Sequence, residues 1–417
     1  MQPEKSQSAV PAAPNLVLLP DSGAPFTGDE PKVLGLGLVR RMVIAAGRSG
    51  YGKIYFLGRD QAASSGVVVV PDWSSLAAAL ASQRAAPLLI TTATILAERD
   101  WLERLTSTQI EPGVWAAIPH RIVMLAGAAV PDSLAVLSAK EKALAVLGAK
   151  EKAHGVTAVQ DQLTHRFGSP AQVPAAIDPM TVATTTDIDI AEWRLLRGLV
   201  KNTDGFMARH VERPISLRIT RRLASTGITP NQITLISVGI GLCGAPFFLS
   251  THWLWQTVGA LLFLAHSILD GCDGELARLR FQESRLGGII DYWGDNVVHI
   301  VVFACMAIGW SLSVSALWPL LLGIAAVLGN LGSAGFVYWR TMHAKNGGPL
   351  FTSVATVPGQ RFAQVLDAAS RRDFIYLVLV LALFGKSTWF LVLAAAGAPI
   401  FFFLLIFLAV RERLSSH

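Results

Sequence analysis

Apolar and polar residues alternate on a short scale in the front part of this chain, between residues 32 and about 165. Short apolar runs there are separated by segments with helical periodicity. The runs predict strands at Ile54–Leu57, Val67–Val70, Leu88–Thr91, Trp115–Ile118 and Ile122–Leu125. The periodic segments predict helices at Ser74–Ser82, Ala93–Leu105 and Ser133–Lys152. Such alternation indicates a soluble α/β, Rossmann-like domain over residues 32–165.

The back of the chain has a different pattern, with long stretches that carry almost no charge. Residues 231–269 and 296–339 have no charged side chain, and residues 374–410 have only Lys386. Because a membrane span needs about 20 apolar residues, each stretch is long enough for two spans. We predict an α-helical integral membrane domain over residues 229–413, with six transmembrane helices near 232–250, 254–276, 286–310, 314–338, 366–385 and 388–410.

Three connecting segments complete this organisation. Residues 1–31 contain six prolines, which predicts a disordered lead-in. Residues 166–200 are rich in small and polar residues and predict a linker. Residues 201–228 repeat apolar side chains every four positions with arginines between them, which is typical of amphipathic helices on an anionic lipid surface. Pro214 is expected to divide this segment into two helices.

Composition supports a membrane protein and gives its orientation. The 417 residues are 52% hydrophobic and only 15% charged, and the formal net charge is 35 − 29 = +6. Basic residues fall on one side of the six predicted spans. The positive-inside rule therefore predicts a multi-pass protein of the plasma (inner) membrane with cytoplasmic N- and C-termini. No nucleic-acid-binding motif is present, so we expect membrane lipids rather than nucleic acid as partners.

The few charges in the apolar half concentrate between its first two charge-free stretches. Residues 231–417 hold 20 charged side chains, nine of them within residues 270–295. Four of the nine are aspartates spaced three or four apart, so each pair shares one helix face: Asp270, Asp273, Asp291 and Asp295. Carboxylates at a membrane are costly and repel each other unless cations neutralise them. The pattern predicts a site for hard divalent cations such as Mg²⁺, Mn²⁺ or Ca²⁺, and two such ions would suit a diphosphate.

The same segment carries eight residues at fixed spacing, Asp270-x2-Asp273-Gly274-x2-Ala277-Arg278-x8-Gly287-x3-Asp291-x3-Asp295. This spacing resembles the signature of the CDP-alcohol phosphatidyltransferases at every fixed position. Thr229, Pro230, Asn231 and Thr234 also resemble the start of the family's first span. The resemblance covers about residues 200–410.

The resemblance implies a fold, a reaction and roles. It implies a six-helix membrane domain, a homodimer, and two Mg²⁺ ions, with Mn²⁺ as a substitute, held by the four aspartates. Contacts to the CDP group are implied for Asp270, Gly274, Ala277, Arg278 and Gly287. Asp295 is the implied general base, which takes the proton from an acceptor hydroxyl that attacks the β-phosphorus and expels CMP. The product class is a phospholipid or inositol phospholipid.

The acceptor and the donor alcohol are less defined by the sequence. Basic residues cluster around the fourth and fifth predicted spans: Arg340, Lys345, Arg361, Arg371 and Arg372. A basic pocket there would suit a phosphorylated acceptor, and ordinary positive-inside charge explains the same residues equally well. Donors of the CDP-diacylglycerol or CDP-inositol class both occur among similar enzymes.

An α/β domain ahead of a membrane domain is similar in arrangement to archaeal bifunctional inositol-phosphate cytidylyltransferase and di-myo-inositol-phosphate-phosphate synthases. The front segment Ala45–Gly50 partly echoes a nucleotidyltransferase loop, and Gly47, Gly52 and Lys53 nearly match a P-loop. Ile54 stands where a P-loop has Ser or Thr. We therefore expect a glycine turn between a helix and a strand, in a degenerate, non-catalytic nucleotidyltransferase-like domain.

Two alternatives remain from the residues alone. Intramembrane carboxylates also mark ion paths, so a cation transporter is the alternative function. The position of the aspartates near one predicted membrane edge, with Arg278 close by, favours a diphosphate site. For the front domain, the alternative to a nucleotidyltransferase-like domain is an interaction or regulatory module.

Overall fold

The structure is a computed structural model that describes residues 13–20, 31–58, 66–81, 86–108, 115–125, 129–146, 155–173, 177–200, 205–343 and 374–415. The chain divides into two compact units, Met1–Leu195 and Leu196–His417. The division falls inside a helix, Thr185–Arg197.

The first unit is built on a β-sheet with helices packed against it. Its strands are Asn15–Leu19 (β1), Lys32–Val33 (β2), Leu36–Gly37 (β3), Ile54–Leu57 (β4), Val68–Val70 (β5), Leu88–Thr92 (β6), Trp115–Ile118 (β7), Ile122–Leu125 (β8) and Ala171–Gln172 (β9). Among the described residues, seven strands form one sheet in the order β5-β4-β1-β6-β8-β7-β9. Strands β5, β4, β1 and β6 run parallel to one another, whereas β8 runs antiparallel to both β6 and β7. The predicted α/β class is confirmed.

Strand β1 corrects the prediction of a disordered lead-in over residues 1–31. It pairs with β4 on one side and β6 on the other, and its apolar residues Leu16–Leu19 are fully buried. Strands covered on both faces consist of continuous apolar runs, and NLVLL is such a run. The flanking Pro14 and Pro20 are compatible with its two ends, so the proline content was misleading here.

Helices of the first unit are Leu38–Arg48 (α1), Trp73–Ala79 (α2), Arg99–Ser107 (α3), Ala129–Val146 (α4), Val156–Phe167 (α5) and Thr185–Arg197 (α6). The glycine segment lies at the end of α1, where Gly50 adopts a φ of +84° before the chain enters β4. It is the expected glycine turn, and no helix follows it as a P-loop requires. Helix α6 shows that the linker prediction for 166–200 was wrong over Thr185–Arg197.

The second unit is helical throughout its described residues. A π-helical turn, Ala208–Glu212, leads directly into Arg213–Ala224 (α7), so Pro214 lies in the first turn of a helix rather than between two. The next helices are Pro230–Gly244 (α8), extended by a 3-10 turn at Ala245–Leu249, then Trp253–Arg280 (α9), Arg285–Val314 (α10) and Trp318–His343 (α11). Phe374–Leu383 (α12) and Ser387–Ser415 (α13) complete the unit.

Among the residues that the structure describes, four helical segments are long and apolar enough to cross a membrane: Pro230–Leu249, Arg285–Val314, Trp318–Arg340 and Ser387–Arg411. Their outward side chains are mostly large and apolar, for example Leu312, Leu321 and Ile400, each at least 66% exposed. Helix α9, at the second predicted span, has the length but ends in the charged segment 270–280. Helix α12, at the fifth, has only ten described residues, and 366–373 lie outside the described residues.

Candidate metal and diphosphate site

The site is a hairpin of two long helices, α9 and α10. Helix α9 ends at Phe281, which adopts a left-handed conformation with φ of 56°, and the Gln282 N–H donates to the Ala277 carbonyl. Helix α10 begins after Ser284, whose hydroxyl accepts from the Gly287 N–H at 3.0 Å. This short turn places the end of α9 beside the start of α10, where the predicted ligands lie.

Three of the four predicted aspartates meet in this hairpin. One carboxylate oxygen from each of Asp270, Asp291 and Asp295 lies within 4.8 Å of the other two. Asp270 is buried and the other two are partly buried. Carboxylates this close in an apolar surrounding repel strongly, and oxygen donors in this arrangement suit a hard divalent cation.

Asp273, the fourth predicted ligand, is oriented differently. Its Oδ2 accepts a short hydrogen bond from the Thr234 hydroxyl on α8. Thr234 and Asp273 are both buried, at 2% and 5% exposed. The contact ties α8 to α9 one turn from Asp270, so Asp273 connects the cluster to its neighbouring helix.

Two histidines near the carboxylates have different surroundings. His266 Nε2 lies 3.4 Å from Asp295 Oδ1, and His266 is only 2% exposed. It therefore borders the cluster from α9, one turn before Asp270. His299, one turn after Asp295, packs instead among aromatic rings, with ring centroids 5.5 Å from Phe263 and 5.6 Å from Phe374.

The predicted CDP contacts lie on the same helices. A Cβ on Gly274 would come within 3.2 Å of Arg278 Nη1, so the glycine leaves room for that guanidinium. Ala277 occupies the adjoining turn of α9. A Cβ on Gly287 would meet Asn231 Oδ1 at 2.8 Å, which indicates that this glycine permits close packing of α10 on the start of α8.

Of the predicted acceptor residues, the structure describes Arg340, near the end of α11 and partly exposed. The remaining four, Lys345, Arg361, Arg371 and Arg372, lie outside the described residues.

Sequence reasoning missed a buried carboxylate, Glu275, and gave no specific role to Thr234 or His266. Glu275 is 0% exposed and accepts hydrogen bonds from α7. A signal was available, because Glu275 is an acidic residue in a predicted span, where an unpaired charge is costly. Its partners, about 60 residues earlier in the chain, were not evident from spacing.

Comparison with known proteins identifies similar sequences. The chain is 38% identical over 127 residues to the bifunctional IPC transferase and DIPP synthase of Thermococcus kodakarensis, covering 30% of this chain and 28% of that protein. It is 34% identical over 100 residues to the archaetidylinositol phosphate synthase of Pyrococcus horikoshii, covering 24% of this chain and 50% of that protein. The matches thus span half or less of these curated relatives.

A solved structure of phosphatidylinositol phosphate synthase from Mycobacterium tuberculosis with CDP-DAG bound aligns at 18% identity and a TM-score of 0.32, covering 45% of this chain and 90% of that one. The family model described as CDP-alcohol phosphatidyltransferase matches residues 227–360, which include all eight signature positions. The match to this family model lies within the second, helical unit and covers less than half of the chain.

Proposed function

We propose that this protein is a membrane phosphotransferase that moves a phospho-alcohol group from a CDP-alcohol to an acceptor hydroxyl and releases CMP. The observation that carries the proposal is the carboxylate trio of Asp270, Asp291 and Asp295, within 4.8 Å, inside a complete family signature. The product would be a phospholipid or an inositol phospholipid.

The donor set fits a divalent metal centre. Three converging carboxylate oxygens match the ligands that Mg²⁺ and Mn²⁺ prefer, and the cluster is too crowded to hold three charges without cations. We propose Asp270, Asp291 and Asp295 as ligands, with Asp273 as a further ligand or the support of one. Two Mg²⁺ ions would polarise the phosphoryl oxygens and neutralise developing charge.

The protein's own residues then act around the diphosphate. We assign the diphosphate to Arg278, since a guanidinium binds phosphoryl oxygens in a bidentate manner. The adjoining Gly274 and Ala277 leave the backbone of α9 accessible to the cytidine group. We also assign contacts with the CDP group to Asp270 and Gly287. Asp295 accepts the proton of the acceptor hydroxyl, and His266 at 3.4 Å orients its carboxylate.

In the transfer, the acceptor oxygen forms a bond to the β-phosphorus, and the bond from that phosphorus to the bridging oxygen breaks. CMP departs with the bridging oxygen. The proton from the acceptor hydroxyl resides on Asp295 until it is lost to solvent. Positioning of the reactants supplies much of the rate in reactions of this kind.

The membrane arrangement that suits this reaction has six spans, with α9 and α12 as the second and fifth. We place both termini and the carboxylate cluster on the cytoplasmic side of the plasma membrane, as the distribution of Arg and Lys favours. We further propose a homodimer, and a front unit that is a degenerate nucleotidyltransferase-like domain.

The donor is proposed to be of the CDP-diacylglycerol or CDP-inositol class, and the acceptor a phosphorylated alcohol. The name of the P. horikoshii relative, archaetidylinositol phosphate synthase, supports inositol phosphates as the chemical class. Arg340, with Lys345, Arg361, Arg371 and Arg372, supplies the positive charge for a phosphorylated acceptor.

The decisive experiment measures CMP release by the full-length protein in lipid nanodiscs. CDP-diacylglycerol and CDP-inositol are each paired with inositol phosphate and glycerol phosphate, with Mg²⁺ or with chelator. We expect metal-dependent CMP release from at least one pair and loss of about 10³-fold in Asp295→Asn. Absence of release with every pair would contradict the proposal, and cation flux in liposomes without a CDP-alcohol would favour a transporter.

A further inference from the structure

Glu275 is a fully buried carboxylate at the contact between α7 and α9. Its Oε1 accepts from Arg213 Nη1 at 2.6 Å and from the Ser216 hydroxyl at 2.7 Å. Its Oε2 accepts from the Thr220 hydroxyl at 2.7 Å. All three donors belong to α7, so both oxygens of one carboxylate are used to hold a single neighbouring helix. A buried charge is retained against a desolvation cost that an apolar pair would avoid, which indicates a requirement for directional contacts.

Helix α7 is held to α9 at a second point, five residues further along. Arg280 donates to the carbonyls of Ala224, Ile228, Leu223 and Thr226, the first two at 2.6 and 2.8 Å. Two of these carbonyls, those of Leu223 and Ala224, belong to the last turn of α7, where carbonyls lack the regular i+4 partner of the helix interior. The two attachments leave α7 little freedom to shift along α9 or tilt away from it.

The contacts lie on either side of the residues assigned to the substrate. An α-helix has about 3.6 residues per turn. Viewed along the α9 axis, Glu275 therefore lies about 140° from Asp270, and Arg278 lies about 80° from Asp270 in the same sense. Asp273 projects about 60° in the other sense and contacts Thr234 of α8. Helix α9 is therefore held in rotation by α7 on one flank and by α8 on the other, with Asp270 and Arg278 between.

Small rotations of α9 about its own axis displace the side chains that bind the substrate. A carboxylate about 5–6 Å from the axis moves by about 1 Å when the helix turns by about 10°. A misplacement of that size lowers rates by about 100-fold when reactants must be aligned. The hydrogen bonds of Glu275 with Arg213, Ser216 and Thr220 thus limit the rotation of α9, on which the rate of transfer depends.

We propose that Glu275 is a positioning residue of the phosphotransfer site, which fixes the rotation of α9, and with it Asp270 and Arg278, by binding α7. The proposal rests on the proposed function. It gives α7 a role beyond contact with lipid: its small polar face, Ser216 and Thr220, serves the site, while Ile215 remains 40% exposed on the other side.

The experiment compares Glu275→Gln and Thr220→Val with the wild-type chain in nanodiscs, with Ser225→Ala as the matched control. Ser225 is an exposed residue just after α7 whose hydroxyl donates to the Arg222 carbonyl of its own turn. Two quantities are measured: CMP release per folded molecule, and the Mn²⁺ concentration at half-maximal thermal stabilisation. The second does not depend on turnover.

We expect Glu275→Gln to lower kcat by about 10- to 100-fold and to raise the Mn²⁺ midpoint by about fivefold, with KM for the donor changed by less than about threefold. Thr220→Val, which keeps the side-chain shape, shows both changes to a smaller degree, and Ser225→Ala shows neither. Arg213→Lys, which keeps the positive charge, retains more activity than Arg213→Gln.

A purely structural role would lower the unfolding temperature but leave kcat per folded molecule and the Mn²⁺ midpoint unchanged, and that result would overturn the proposal. If Glu275→Gln does not fold, Thr220→Val decides the question by the same two readouts. If the wild-type chain releases no CMP, the proposed function fails, whereas the Mn²⁺ midpoint still shows whether Glu275 positions the carboxylates.

Discussion

The two units of this protein have very different interiors. The first unit has an apolar core cluster that extends from Val17 and Leu19 on β1 to Trp73 on α2 and Leu163 on α5. The second unit has an apolar cluster of its own around Phe263 and Val302. Beside it, however, the second unit buries acidic and imidazole side chains within a few turns of one helix: Asp270, Asp273, Glu275 and His266, none more than 5% exposed.

The first unit shows what a buried charge looks like when no cluster is present. Arg41 is 2% exposed, and its Nη2 donates to the Val33 carbonyl at 3.0 Å. Desolvation lowers the pKa of Arg41 to about 10, a value at which the guanidinium still keeps its charge near neutral pH. Arg41 is a single cation that donates to a carbonyl of β2 and so supports the β2–β3 hairpin. Several carboxylates at close range repel one another and do not stabilise a fold in this way. We therefore attribute the buried carboxylates of the second unit to the proposed reaction and not to a contribution to the stability of the fold.

The largest expected effect tests that distinction at Asp291. Asp291→Asn removes one charge from three carboxylates that lie within 4.8 Å of one another. We expect CMP release to fall by about 10³-fold, because a ligand is lost, while the unfolding temperature in chelator stays the same or rises, because repulsion is relieved. The measurements are CMP release with Mg²⁺ and thermal unfolding in EDTA.

The control is Asp132→Asn in α4 of the first unit, outside the cluster. This change should leave CMP release within about twofold of the wild type, since surface substitutions are usually small in effect. A marked loss of stability for Asp291→Asn in EDTA would show that the carboxylates support the fold, contrary to the comparison between the units.

Sequence reasoning predicted the fold and the site to different degrees, for physical reasons. Strands β4, β7 and β8 were predicted at their observed bounds because each is an apolar run between turn residues. Strand β1 was missed because the prolines that surround it are typical of a disordered segment. A local composition rule thus gave the wrong result where pairing with two neighbouring strands decides the structure.

In the site, the shared face of Asp291 and Asp295 could be predicted because their i, i+4 spacing places both side chains on one side of α10. Their approach to Asp270 depends in addition on the packing of α10 against α9. The contact of Asp273 with Thr234 and that of Glu275 with Thr220 could not, because they depend on how α8 and α7 pack against α9. Their partners are 39 and 55 residues away in the sequence. No periodicity within one helix encodes such pairs.

The second prediction concerns the apolar interior of the first unit. Leu19→Ala deletes a fully buried side chain of β1. We expect it to lower the free energy of unfolding of this unit by about 2–5 kcal/mol, because a cavity remains in a packed core. Denaturant unfolding, followed by tryptophan fluorescence, measures the change. The exposed Val69→Ala on β5 is the matched control and should cost much less.

If the two interiors have separate roles, Leu19→Ala should leave CMP release per folded molecule near the wild-type value. Loss of transfer in step with unfolding of the first unit would show instead that the front unit completes the site.

The third prediction concerns helix packing in the second unit, where glycines allow some helices to approach closely. A Cβ on Gly329 of α11 would come within 2.5 Å of the Pro399 backbone nitrogen on α13. Gly329→Ala should therefore force the two helices apart and destabilise the unit by about 1–3 kcal/mol. Thermal unfolding in nanodiscs measures the effect.

Gly335, on the same helix, is the matched control because a Cβ there would meet nothing within 4 Å. Gly335→Ala should be neutral or stabilise the helix by up to about 1 kcal/mol. Equal destabilisation by both substitutions would mean that the cost comes from the helix itself and not from the approach of α13.

The smallest expected effect lies at the start of α2, in the first unit. Asp72 Oδ1 accepts from the Ser75 N–H and from the Ser74 hydroxyl, both at 2.7 Å. These hydrogen bonds lower the pKa of the Asp72 carboxyl below its usual range, and the one from the Ser75 backbone has the largest effect. Asp72→Ala should lower the free energy of unfolding by about 0.5–2 kcal/mol, whereas Asp72→Asn retains an acceptor and should cost less.

The pH dependence of this cap gives the comparison its finest test. Because the pKa of Asp72 is lower in the folded state, its ionic contribution is complete above the unfolded pKa and is lost as pH falls through the folded pKa. The stability difference between the wild type and Asp72→Asn should therefore shrink on acidification below about pH 4, the ordinary aspartate range. A difference that grows on acidification would mean that the Asp72 carboxylate destabilises the folded first unit, so that even an isolated acid there behaves like the crowded acids of the second.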